Sequence, residues 1–195
     1  MKEEFTLTIY TENQVGLINK IAIMFSRRKI SLESLNTSPS EIKDIYRFTL
    51  VVRETEAVVK NLVRQLEKIV DVFKVYYNTN EEIIWQQMAL YKVPTAVIIK
   101  DVKVERLLRE FGAKAVVIRE DYTVFEATGH DEEVNNLLKE LDKYGLIEFV
   151  RSSRIAIIKS SEGVHKKVLD MEKNDPTKQP INNEFLNHKS MIFEM

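Results

Sequence analysis

Asn13-Gln14-Val15-Gly16-Leu17 joins two stretches of different periodicity. Before it, Phe5, Leu7 and Ile9 alternate with Thr6, Thr8 and Tyr10, the period of a half-buried strand. After it, Leu17, Ile18, Ile21, Ala22, Met24 and Phe25 recur at helical spacing. The turn between them holds one of only five glycines in the chain. A polar side chain and a glycine at a helix start present free backbone N–H groups, with room for a ligand to approach. That suggests a pocket for a small carboxylate-bearing molecule. The same residues also fit an ordinary helix start, with Asn13 or a neighbour as cap and Gly16 as conformational relief. On the residues alone both readings stand.

Working outward, residues 30–37 read as a second strand, and Ser38-Pro39-Ser40-Glu41 as a turn. In a third strand Tyr46, Phe48, Leu50 and Val52 share one face, with Arg47, Thr49 and Arg53 on the other. Val58, Val59, Leu62, Val63, Leu66 and Ile69 form the stripe of a second helix, and residues 71–77 a fourth strand. The order βαββαβ is a split βαβ unit of the ferredoxin-like kind. Both helices cover one sheet face. The other face is expected to be free, which argues for association.

The pattern then repeats. Residues 88–93 are strand-like, and Val104, Leu107, Leu108 and Phe111 make a helical stripe that Gly112 is placed to stop. Residues 115–118 and 123–127 read as strands around a Glu120-Asp121 turn. Val134, Leu137, Leu138 and Leu141 mark a further helix with Gly145 just after it, and residues 146–150 and 155–158 close the pattern as strands. The fold class is therefore α+β, with two tandem βαββαβ domains, antiparallel sheets and helices on one face. The expected boundaries are a first domain at 1–79, a linker at 80–84, a second domain at 85–159 and a flexible tail at 160–195. Met191-Ile192-Phe193 near the end is apolar enough to dock on a partner or on the body.

Composition narrows the function. With 29 basic and 30 acidic residues, the 195-residue chain has a formal charge of −1, so it has no global basic field for nucleic acid or membrane. No apolar run approaches the roughly 20 residues that span a bilayer. Met1-Lys2-Glu3-Glu4 lacks the hydrophobic core of a signal peptide, and the absence of cysteine fits a reducing cytoplasm. His130 falls at a strand-to-helix turn, while His165 and His188 fall in or near the tail. No two histidines stand at ligand spacing, so neither a nucleophile–base pair nor a metal site is expected. Phe5, Tyr46 and Phe48 on adjacent strands raise an RNA-recognition reading, but Ile45-Tyr46-Arg47-Phe48-Thr49-Leu50 lacks the glycine of that scaffold. Ser26-Arg27-Arg28-Lys29 suits a helix C-terminus better than a nucleic-acid site.

Three segments carry a family likeness. Thr11-Glu12-Asn13-Gln14-Val15-Gly16-Leu17, then Met24-Phe25-Ser26-Arg27-Arg28, then Leu32-Glu33-Ser34-Leu35 resemble the regulatory (small) subunit of acetolactate synthase. That family opens with an ACT domain, whose signature is a strand, Glu-Asn-x-x-Gly, a helix, Phe-Ser-x-Arg and Ile-Glu-Ser-Leu. Val70-Asp71-Val72 matches a further family run, and the resemblance covers residues 5 to about 158. It implies a non-catalytic, cytoplasmic regulatory subunit in branched-chain amino-acid biosynthesis. Such a subunit forms a homodimer by side-by-side ACT pairing, activates the large catalytic subunit, and confers allosteric feedback inhibition by valine or a related amino acid. Thiamine diphosphate, magnesium and FAD would belong to the partner subunit, with no cofactor bound by this chain. The alternative is a stand-alone ACT-type amino-acid sensor of another enzyme or of a transcription factor.

By the same resemblance the effector site comprises Asn13, Gln14, Val15, Gly16, Leu17 and Ser31. Backbone N–H groups near Val15, Gly16 and Leu17 would hold the effector carboxylate, and Asn13 would bond its polar groups. Gly16 would leave room for that carboxylate. Where the family has Gly-Tyr-Asn-Ile this chain has Lys29-Ile30-Ser31-Leu32, so Ser31 replaces an asparagine that reaches the effector from the partner protomer. Serine keeps donor and acceptor capacity on a shorter arm.

Overall fold

The computed structural model describes residues 1–161. The expected tail, with Met191-Ile192-Phe193, His165 and His188, lies outside them apart from its first two residues. The described chain divides into two compact units, Met1–Ile84 with the segment from Ala156, and Trp85–Ile155.

In the first unit β1 (Glu3–Glu12), α1 (Leu17–Arg27), β2 (Ser34–Pro39), β3 (Ile45–Glu54), α2 (Glu56–Leu66) and β4 (Val72–Thr79) follow in order. The strands form a four-stranded sheet in the order β2-β3-β1-β4. Its pairs are antiparallel, with Leu7 opposite both Leu50 and Tyr77. Phe5, Leu7, Ile9, Leu50 and Val52 point to the helices and meet Leu17, Ile21 and Phe25 of α1 and Val59, Leu62 and Leu66 of α2. Each such side chain contributes about 1.5–3 kcal/mol on burial. The exposed ion pairs around them, such as Lys60–Glu56, are screened by solvent and contribute little. Packing therefore holds this unit.

Two local expectations change. The second strand begins at Ser34, not residue 30, because residues 28–30 are spent ending α1. Lys29 donates its amide to Ser26 O and Ile30 to Phe25 O, both at 3.1 Å, with Lys29 at φ 55. This is a Schellman ending, with Ile30 and Phe25 in one core cluster. The chain at 80–84 is also no irregular linker. Asn80–Glu82 form a 3-10 turn, and Ile83 already opens the next strand. The Thr79 amide donates to Glu82 Oε2 at 2.8 Å, which stops β4 and holds the Glu82 carboxyl below its usual range.

The face of this sheet away from the helices is not free. Thr6, Thr8, Thr49 and Val51 are each less than 5% exposed. At one end Tyr10, Ile42 and Ile45 make a small separate cluster with Phe73 and Tyr76. The alternation of threonine with Phe, Leu and Ile reads as wet and dry faces, but threonine hydroxyls can be satisfied locally and tolerate burial. Phe5 and Phe48 are 1% and 5% exposed beneath the helices, so they offer no face on which a base could stack.

The second unit holds β5 (Ile83–Pro94), which begins in the first, then α3 (Thr95–Lys100), α4 (Val102–Glu110), β6 (Lys114–Ile118), β7 (Tyr122–Gly129), α5 (Asp131–Asp142), β8 (Glu148–Arg151) and the start of β9 (Ile155–Ile158), which returns to the first. Its strands run β6-β7-β5-β8, the same order as in the first sheet, and β9 pairs with β5. Ala89, Tyr91, Val93, Phe125 and Ala127 pack against Val104 and Leu108 of α4 and Val134, Leu137 and Leu141 of α5. Gly112 and Gly145, at φ 61 and 80, follow the ends of α4 and α5. The short α3 has no counterpart in the sequence reading. The Thr95 hydroxyl donates to Arg119 O at 2.7 Å and thereby ties its start to the β6–β7 turn. Here the opposite sheet face is open, as expected: Met88, Leu90, Val117 and Val150 are 37–55% exposed.

Candidate functional site

The site at the start of α1 is built from backbone. Glu12 N donates to Asp71 O at 2.9 Å, and Asn13 N to Asp44 O at 3.2 Å. These bonds anchor the turn to the start of β4 and to the β2–β3 connection. Gln14 N donates to Glu12 O at 3.1 Å, and Leu17 N to Gln14 O at 3.3 Å, which closes the loop on itself. Gly16 stands at the N-cap with φ 83 and ψ −1. A Cβ built there meets nothing within 4 Å, so in the unliganded chain it is the left-handed backbone, not crowding, that demands glycine.

No side chain caps α1, so the reading of Asn13 as the cap is not the one the fold adopts. Its carboxamide makes no hydrogen bond among the described residues. The amides of Val15 and Gly16 have no backbone partner there either. The first turn of α1 has no acidic residue, whereas α2, α4 and α5 carry Glu56, Glu105 and three acids respectively. The positive end of the α1 dipole is thus uncompensated. Lys20, within the first two turns, is paired with the Asp71 carboxylate at 2.6 Å. The arrangement can accept a small anion through backbone N–H groups.

The six expected site residues do not all meet within one chain. Asn13, Gln14, Val15 and Gly16 are exposed on the loop, and Val15 is fully so. Leu17 turns its side chain into the core at 2% exposure and spends its amide on Gln14. Ser31 is exposed beyond the far end of α1. An 11-residue helix spans about 16 Å, which separates Ser31 from Gly16. Asp44 and Asp71 hold the loop through their backbone carbonyls, a role that the sequence does not mark. They act through contacts distant in sequence, and no local pattern marks them.

Residues 7–74 match the family described as AHAS small subunit-like ACT domain, and residues 86–160 match the family described as small subunit of acetolactate synthase. The acetolactate synthase small subunit of Bacillus subtilis is 31% identical over 163 residues, covering 83% of this chain and 93% of that protein. The chain belongs to the acetolactate synthase small-subunit family. The small subunit of Mycolicibacterium smegmatis is 28% identical over 159 residues, and the probable small subunit of Archaeoglobus fulgidus 28% over 157 residues. They are covered along 93% and 98% of their lengths. The crystal structure of the small subunit from Thermotoga maritima superposes with a TM-score of 0.74 at 22% identity, covering 82% of this chain and 99% of that one. The two βαββαβ units are therefore the fold of an acetolactate synthase small subunit. Among the described residues no helix is long and apolar enough to cross a membrane.

Proposed function

We propose that this chain is a regulatory subunit that binds and activates the thiamine-diphosphate-dependent catalytic subunit of acetolactate synthase. Valine or a related branched-chain amino acid is its feedback effector. The reading rests on relatedness along 93% of the Bacillus subtilis small subunit, with the expected loop present as an open helix start. Asn13, Gln14, Val15 and Gly16 receive the effector carboxylate and ammonium. Leu17 anchors the loop, and Ser31 is contributed by a second copy.

Topology supports a homodimer. The α1 connection runs from β1 past β3 to β2, so α1 lies toward the β2 edge of the first sheet. Ile18, 42% exposed, and Ala22 follow one another along the outer side of that helix. β2, paired with β3 on one side, has no strand on its other side among the described residues and is mostly exposed. Pairing two such edges makes one continuous sheet and brings two α1 helices alongside each other. That in turn brings the Ser31 of one copy toward the loop of the other.

An apolar pocket separates aliphatic side chains differing by one methylene by only about 1–3 kcal/mol, so valine, leucine and isoleucine compete. Regulation requires different effector affinity for more and less active states of the holoenzyme; tight binding alone shifts nothing. The test is an assay of the catalytic subunit with and without this chain, titrated with valine. The reading requires higher activity with the chain and a valine-dependent fall. A catalytic subunit that neither co-purifies with the chain nor changes rate on its addition removes it.

A further inference from the structure

A cavity of about 350 Å³ opens within the second unit, where the C-terminal end of α4 meets the start of α5 over β5 and β7. Small-ligand sites begin at about 300 Å³ and combine apolar walls with a few convergent polar groups. Phe111, Ala127, Val134 and Leu137 are the walls. The short side chain of Ala127 on β7 leaves the space that a larger residue would fill.

The polar lining is made of Tyr91, Glu110 and Glu133, with Thr128 present through its backbone, and it offers acceptors. The Tyr91 hydroxyl gives its proton to Val134 O at 2.9 Å, which leaves its oxygen lone pair as acceptor. Burial pushes that phenol up to about 12, so it stays neutral. Glu133 accepts from His130 N at 2.7 Å, and Glu110 from Arg106 Nε at 3.0 Å. Carboxylates accept only. The carbonyl end of α4 adds negative potential. An anion is disfavoured from the other side too, because Asp131, Glu132 and Glu133 already occupy the positive end of α5. A zwitterionic amino acid would find no place for its carboxylate.

We propose that this cavity binds a small aliphatic primary ammonium ion, with its charge between Glu110 and Glu133 and its hydrocarbon against Phe111 and Leu137. The site is separate from the α1 loop and does not depend on the function assigned to that loop. Amide NMR spectra of the full chain, titrated with 3-methylbutylammonium chloride, test it. The comparators are the isosteric neutral 3-methylbutan-1-ol and the anionic 3-methylbutanoate. Saturable shifts are expected at Tyr91, Phe111, Thr128 and Leu137 with the ammonium, while the amides of Asn13 to Leu17 stay in place. Glu110→Gln should weaken binding roughly three- to tenfold, the loss of one partly exposed charged partner. Ala127→Leu should abolish it by filling the space. Should Ala127→Leu fail to fold, Glu110→Gln decides, since its side chain is half exposed and its removal leaves the core untouched. No localised shift at millimolar ammonium, or equal binding of the alcohol or the carboxylate, overturns the proposal.

Discussion

Lys29 occupies a conformation that favours glycine. It stands at φ 55 at the end of α1. A side chain in that conformation costs about 1–2 kcal/mol, and glycine's extra freedom in the unfolded chain returns about 0.5–1 kcal/mol of that. Lys29→Gly should therefore raise stability by about 0.5–1 kcal/mol, seen as a higher urea midpoint with an unchanged slope. A lower midpoint would mean that the lysine's charge at the helix C-terminus outweighs its strain. At the other end of α1, Gly16→Asp puts an anion on the open N-terminus in the left-handed region. It should abolish the valine response of the holoenzyme while leaving activation of the catalytic subunit. A folded variant with normal valine inhibition would remove the loop from the effector site. Ser31→Asn lengthens the arm and should preserve or tighten effector binding. Marked weakening by calorimetry would show that Ser31 does not reach the effector.

Elements show where periodicity is informative and where it fails. The helices α1, α2, α4 and α5 are legible because their apolar stripes, and the glycines after α4 and α5, are local features of the chain. The start of β2 is not, because residues 28–30 are recruited to cap α1 by bonds that form only once the helix exists. The buried back face of the first sheet was hidden for a related reason: threonine reports its polarity, not its burial. Tyr91 illustrates what an element gains from its neighbours. It is fully buried on β5, packs 5.2 Å from Phe149 and donates to Val134 O on α5. Tyr91→Phe should cost about 1 kcal/mol at neutral pH, since it leaves one hydrogen bond unmade. The folded phenol titrates at about 12, above its unfolded value of 10.0. The unfolded chain therefore loses that proton first, and the wild type loses stability as pH rises from about 10 to 12, on the order of 2 kcal/mol at the top. The phenylalanine variant lacks this term. Its deficit should narrow and then reverse above about pH 10 in denaturant titrations at matched ionic strength. A constant deficit across that window would show that Tyr91 titrates normally.

For the whole molecule, the two units repeat one strand order but dispose of their sheets differently. The first buries both faces of its sheet and exposes α1 and the β2 edge. The second leaves Met88, Leu90, Val117 and Val150 exposed on its open face. Association through α1 is tested by Ile18→Glu, which puts a charge on the outer side of the helix without entering the core. Sedimentation should show a dimer for the unaltered chain and a monomer for the variant. Far-UV circular dichroism should be retained, and the valine response of the holoenzyme lost together with the dimer. A dimeric variant would place the interface elsewhere, and a monomeric parent chain would leave the loop without the Ser31 of a second copy.

The sequence by itself determined the succession of strands and helices, the doubling of the βαββαβ pattern, the family and the glycine at the α1 start. Each of these is carried by near neighbours, through periodicity, helix-ending residues and short motifs. Only the tertiary structure decided that Asp44 and Asp71 hold the Asn13–Leu17 loop, that the back of the first sheet is buried, that Leu17 belongs to the core, and that the second unit encloses a cavity lined with acceptors. Those features are set by hydrogen bonds and packing between residues far apart along the chain. Such contacts exist only after folding has brought them together.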